Sequence, residues 1–241
     1  IEIIRIFNAF ITHIFKQGEF LETQRFLLNN TEEEKQMGTA DMVTKEYMRE
    51  NAIFADAFNY LIYGGKKVID PAGLTEIDTA TSAVGKKDAL QKYRDVLKAA
   101  VIKQDEKMSY VLLGVENQTD VHYAMPVRNA IYDALQYGKQ VSDIAAGPRR
   151  SQKDYSGKTG GEYLSGFLKE DHIKPVITLV IHFGAEEWDG PLSLHEMMPI
   201  RDMEMLSYVE NYRIHLIDPA KLTEEELNKF STSMREVMGY I

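Results

Sequence analysis

Asp95, Glu116 and Gln118 have the residue types and the spacing to do chemistry together. Two apolar runs, Val96 to Ile102 and Tyr110 to Val115, flank the polar segment Lys103-Gln104-Asp105-Glu106-Lys107. β-branched and large aliphatic residues on either side of a short polar turn predict a β-hairpin. A turn centred between Asp105 and Glu106 sets Asp95 opposite Glu116. Side chains alternate along a strand, so Asp95, Glu116 and Gln118 share one face. Cβ atoms opposed in an antiparallel pair lie about 5 Å apart. Two carboxylates at that distance repel by roughly 3 kcal/mol at an effective dielectric of about 20. The pair therefore calls for a proton on one carboxyl or for a cation between them. A hard divalent cation such as Mg²⁺ is the usual guest of carboxylate oxygens. The competing reading is two solvated acids at strand ends.

The neighbouring elements must hold these residues. After Gln118, a helix is predicted from Met125 to Ile144, with Pro126 in its first turn. Val127, Ile131, Ala134, Leu135 and Val141 read as its core stripe. Arg128, Tyr132 and Gln136 recur at i, i+4, i+8 and form a second stripe that could face the carboxylates. Arg128 suits a phosphate or neutralises the acids, and Tyr132 can stack or hydrogen-bond. Residues 145–161 read as a Gly-rich loop in which Arg149, Arg150, Lys153 and Lys158 oppose Asp154 alone. Such a run is either a DNA-gripping element or a solvated loop. Val176 to Phe183 is a buried strand, which completes a βαβ unit with the hairpin's second strand.

Upstream of the hairpin, Phe54, Ala57, Phe58, Leu61 and Ile62 give a helical stripe from Thr44 to Tyr63, ended by Gly64-Gly65. Val68-Ile69 looks strand-like, and residues 71–91 read as a loop. Downstream, Gly184 to Arg201 is irregular around Trp188, Tyr212 to Ile217 is a strand, and Leu222 to Met238 is a helix capped by Thr223. These elements predict an α/β fold: a mixed sheet with helices on both faces.

Composition bounds the function. The chain has 241 residues, 44% of them hydrophobic and 27% charged, as in a globular domain. It has no cysteine, which removes disulfides and thiolate metal sites and suits a reducing cytoplasm. The net charge of −9 argues against a protein that coats DNA by bulk attraction, but not against an enzyme with a local basic groove. Ile1 to Phe15 is too short and too charged to span a membrane. We read residues 1–42 as an N-terminal extension and 43–241 as the domain. Glu32-Glu33-Glu34-Lys35 before Gln36-Met37 admits two readings. One is translated upstream sequence containing a ribosome-binding site, with Met37 as the native start; the other is an amphipathic helical extension.

Three segments carry a resemblance: Tyr93-Arg94-Asp95-Val96-Leu97-Lys98, Gly114-Val115-Glu116-Asn117-Gln118-Thr119, and the run from Tyr123-Ala124-Met125-Pro126-Val127-Arg128 to Tyr137. In that order they resemble the Rpn recombination-promoting nucleases, also called YhgA-like transposases, of the PD-(D/E)XK nuclease superfamily. Phe183-Gly184 through Trp188-Asp189-Gly190-Pro191 is similar too. The resemblance implies a restriction-endonuclease-like mixed sheet and Mg²⁺-dependent cleavage of DNA, with Mn²⁺ an acceptable substitute. It implies catalytic roles for Asp95, Glu116 and Gln118, where Gln118 stands at a position that is Lys in much of the superfamily. Asp56 resembles an acidic residue that the first helix lends to the metal, so the implied ligands are Asp95, Glu116 and Asp56. Arg128, Tyr132, Arg149 and Arg150 are the expected substrate contacts. DNA is the expected partner, and a homodimer is compatible with it. The members of the family are longer, so we expect the domain to continue past Ile241. The rival expectation is a weak or inactive DNA-binding remnant of the same family.

Overall fold

The computed structural model describes residues 42–77, 81–82, 91–92, 95–104, 107–150, 157–200 and 202–241. The N-terminal extension read above lies outside the described residues, apart from Met42. Five strands form one mixed sheet in the order β1 (Thr75–Glu76), β4 (Val96–Gln104), β5 (Lys107–Gln118), β6 (Val176–His182) and β7 (His215–Ile217). Short strands β2 (Thr81–Ser82) and β3 (Gln91–Lys92) pair apart from it. β4 and β5 are antiparallel, with Val96 opposite Val115 and Gln104 opposite Lys107, the register that the turn position implies. β6 runs parallel to β5, and β7 parallel to β6. The protein is thus α/β, a five-stranded mixed sheet flanked by helices. Among the described residues, no helix is long and apolar enough to cross a membrane.

One sheet face carries the main core. Val96, Leu113, Val115, Leu179 and Ile181 pack with Phe54 and Phe58 of α2 (Asn51–Tyr63) and with Met234 and Val237 of the C-terminal helix Met234–Tyr240. Full burial of a side chain such as Phe54 contributes about 1.5–3 kcal/mol. The other face is covered by α3 (Met125–Arg150), over two small apolar clusters. Leu97, Leu112 and Val176 form one; Met125, Val180, Trp188 and Ile214 form the other.

Several elements differ from expectation, each for a local reason. The first predicted helix is two: α1 (42–49) and α2 meet at Glu50, whose backbone is extended. Lys98 bridges that break. Its Nζ donates to the Arg49 carbonyl and, at 2.6 Å, to Asn51 Oδ1, and burial lowers its pKa. Gly64 ends α2 in the left-handed conformation at φ 60°, as its position predicted. Val68-Ile69 is not a strand. The Asn59 side chain takes both backbone N–H groups, at 3.0 and 2.8 Å, and donates to the Ile69 carbonyl. The segment read as a loop from 71 supplies edge strand β1, with Thr75 opposite Ala99. The strand expected over 212–217 shortens to His215–Ile217. The predicted helix 222–238 splits into Glu224–Leu227 and Met234–Tyr240, although Thr223 caps its first turn with Glu226 as expected.

The largest correction concerns α3. It runs to Arg150, so 145–150 is helix rather than loop. Its stripes are also exchanged. Val127, Ile131 and Val141, read as core, are 36%, 40% and 40% exposed, and Ala134 faces solvent. Asn129, Tyr132, Asp133 and Gln136 are buried instead. The sheet face beneath carries Glu116 and Thr178, and buried polar groups need polar partners. Thr178 donates to Asp133 at 2.6 Å, and the Tyr212 hydroxyl reaches the other Asp133 oxygen.

The short helix Gly160–Ser165 opens with a capping box. The backbone N–H and hydroxyl of Thr159 and the backbone N–H of Lys169 hold the Glu162 carboxyl at about 2, against an ordinary 4.5. A lowered folded value means that this contribution is complete above pH 4.5 and fades as the pH falls toward 2. Glu162→Gln is therefore expected to lower the melting temperature at pH 7 and to matter progressively less below pH 4.5. A melting series across pH reads this.

Candidate functional site

The site stands where β5 ends and the chain turns into α3. Asp95 lies one rung beyond the Val96–Val115 pair, which brings it opposite Glu116. Its Oδ2 accepts the backbone N–H of Asn117 at 2.9 Å, fixing the carboxylate against the neighbouring strand. Glu116 is fully buried on the sheet face that α3 covers. The helix periodicity brings Arg128 over it, and the guanidinium lies 3.2 Å from Glu116 Oε2. Tyr132, one turn on, accepts from Arg128 Nε at 3.0 Å. Gln118, two residues past Glu116, donates its amide to the Asn117 carbonyl at 2.7 Å. The structure thus brings together five predicted residues: Asp95, Glu116, Gln118, Arg128 and Tyr132.

A cleft of about 260 Å³ opens beside them. Asp95, Asn117, Gln118, Asp120, His122 and Arg128 line it. It lies beyond the carboxyl end of a parallel strand, where open α/β sheets place their ligands. Near it, both amide atoms of buried Asn117 and Nδ1 of His122 have no hydrogen-bond partner.

The charges are balanced from within. Burial alone would lower the pKa of Arg128, but Glu116, the Tyr132 hydroxyl and Asp95 outweigh it and the value rises. Burial raises the pKa of Tyr132, and Glu116 raises it further. Lys45 of α1 places Nζ 4.0 Å from Asp95 Oδ1. The repulsion expected of a bare carboxylate pair is therefore met by two cations of the protein's own. Sequence reading missed Lys45. It lies on a separate helix far upstream, and no periodicity ties it to Asp95.

Asp56 belongs elsewhere. It is 4% exposed, and its two oxygens accept the backbone N–H groups and hydroxyls of Ser231 and Thr232 at 2.7–3.1 Å. This ties α2 to the segment that leads into the last helix. Asp56 is not the solvated helix acid that the sequence suggested, and it is not among the residues that line the cleft beside Asp95. Asp56→Ala strands two backbone donors and is expected to cost about 3 kcal/mol of stability, while divalent-cation binding stays intact. Thermal melts and calorimetry of the variant separate the two roles. Arg149 and Arg150 end α3, and their side chains lie outside the described residues, as do Lys153 and Asp154.

The donor set fits a small hard cation. Among the described residues, no three His, Asp or Glu side chains converge. The protein offers Asp95 on the wall of an open cleft and Glu116 buried behind it on the adjoining strand. Mg²⁺ is usually held by one or two carboxylates, with water and substrate phosphate completing its shell. Comparison of the chain with protein-family models, curated proteins and solved structures finds no match.

Proposed function

We propose that the protein is a divalent-cation-dependent DNA endonuclease of the PD-(D/E)XK class, related to the Rpn nucleases and acting in DNA recombination. The observation that carries this reading is the placement of Asp95 and Glu116 opposite one another on adjoining strands, with Asp95 and Arg128 lining a cleft and Glu116 buried behind Arg128. The motif order from Asp95 through Glu116-Asn117-Gln118 to Arg128 supports the family. Asp95 and Glu116 would hold Mg²⁺ or Mn²⁺, which when bound supplies a Lewis acid that activates water and neutralises phosphate charge. Arg128 presents its open guanidinium edge to a phosphate, and the Tyr132 hydroxyl fixes its orientation. Gln118 orients the attacking water but neither takes its proton nor carries charge. Arg149 and Arg150 extend the phosphate contacts along the duplex. A cytoplasmic homodimer fits the cysteine-free composition and the symmetry of duplex DNA.

A second reading is a DNA-binding remnant that no longer cleaves. It is favoured by Gln118, whose amide turns back onto the Asn117 carbonyl. A plasmid-nicking assay with Mg²⁺, Mn²⁺ and EDTA tests the pair. Nicking with either metal and none in EDTA is expected. DNA and cation binding without nicking would establish the remnant.

A further inference from the structure

The two carboxylates and their two protein cations form an alternating set. Lys45 is 4.0 Å from Asp95, and Arg128 is 3.2 Å from Glu116. The cations come from α1 and α3, two separate helices. Both reach solvent, with side chains 36% and 29% exposed, whereas Glu116 does not. As it stands, this set is neutral. A divalent cation entering it alone creates an excess of two positive charges in a partly buried place, and such an excess is costly at low dielectric. It also competes with a guanidinium already on Glu116. A phosphodiester arriving with it removes that excess. Lys45 and Arg128 then exchange carboxylate for phosphate oxygens, to which Arg is matched in geometry and Lys in charge.

We propose that Lys45 and Arg128 make the binding of the divalent cation and of a nucleic-acid phosphate mutually dependent, with Lys45 as a phosphate-binding residue. This rests on the nuclease reading above. Each ligand relieves the charge that the other creates, so neither alone binds well. Linkage requires the effect to be reciprocal: DNA raises cation affinity by the same factor as cation raises DNA affinity.

The experiment titrates Ca²⁺, a hard divalent probe, into the full chain by calorimetry, with and without a saturating short DNA duplex. Wild type is expected to bind Ca²⁺ about tenfold or more tightly when DNA is present. Arg128→Gln is expected to bind Ca²⁺ about tenfold more tightly without DNA and to lose most of the coupling. Lys45→Met, which keeps the aliphatic stem at this half-buried position, is expected to weaken the coupling and lower the salt dependence of DNA binding by about one phosphate contact, with a melting curve to show that the variant folds. Ca²⁺ affinity that is equal with and without DNA in wild type overturns the coupling and leaves the nuclease reading standing. Coupling undiminished in Lys45→Met overturns the role of Lys45 and likewise leaves the nuclease reading standing. Ca²⁺ binding absent from every variant, with or without DNA, overturns the nuclease reading itself.

Discussion

Asp95→Ala and Glu116→Ala are each expected to lower Mg²⁺-dependent DNA cleavage by roughly a thousandfold or more. Each removes a charged oxygen ligand from a hard cation, and the Lewis-acid contribution of that cation is several kcal/mol. A loss of about 4 kcal/mol is a thousandfold in rate. Gln118→Ala should behave differently. It removes a neutral amide that positions water, an effect of about 1–2 kcal/mol, or roughly tenfold. Gln118→Lys places a cation beside the cleft that Gln118 lines and should keep or raise activity. Single-turnover cleavage of linear and supercoiled DNA by the four variants reads the ranking. Undiminished cleavage in Glu116→Ala would remove the nuclease assignment. Complete loss in Gln118→Ala would make Gln118 more than a positioner. Melting curves exclude unfolding as the cause.

How far the sequence reached this site follows from which interactions are local. The hairpin was legible because two apolar runs and a polar turn determine both strand pairing and register. The Asp95–Glu116 juxtaposition followed from that register alone. The i, i+4 spacing of Arg128 and Tyr132 was equally legible: Arg128 sits over Glu116, and Tyr132 accepts a hydrogen bond from Arg128. What failed was the choice of which α3 stripe faces inward. Val127, Ile131 and Val141 are more apolar than Asn129 and Asp133, and hydropathy alone chooses them. The sheet beneath decides otherwise, because Glu116 and Thr178 take polar partners from α3, Arg128 and Asp133. Asp56 failed for a related reason. Its partners, Ser231 and Thr232, lie near the other end of the chain, and nothing near Asp56 announces them. Asn59 likewise overrode a strand-like Val68-Ile69 by taking its backbone donors through a side chain on α2. Long-range polar contacts decided each of these positions, and single-sequence periodicity does not record them.

The Arg128–Glu116 pair yields the largest stability prediction. Glu116 is fully buried, and Arg128 approaches it at 3.2 Å. In divalent-free buffer, Arg128→Ala strips a buried carboxylate of its nearest cation and should destabilise the fold by about 3 kcal/mol. That is the low end for a buried pair, because the Arg128 side chain remains partly in solvent. Glu116→Gln keeps the shape and removes the charge. In that background, Arg128→Ala should cost only about 1 kcal/mol, since no buried charge is left uncompensated. The difference is the coupling energy of a double-mutant cycle. Mg²⁺ adds a second discrimination. If Asp95 and Glu116 accept a divalent cation, Mg²⁺ should raise the melting temperature of Arg128→Ala more than that of wild type. There the cation restores the missing positive charge and meets no guanidinium in competition. No such gain should appear once Glu116 is Gln. Equal destabilisation by Arg128→Ala in both backgrounds would show that Arg128 contributes by packing rather than by charge. A melting temperature of Arg128→Ala indifferent to Mg²⁺ would show that the carboxylates pair with the protein's own cations alone.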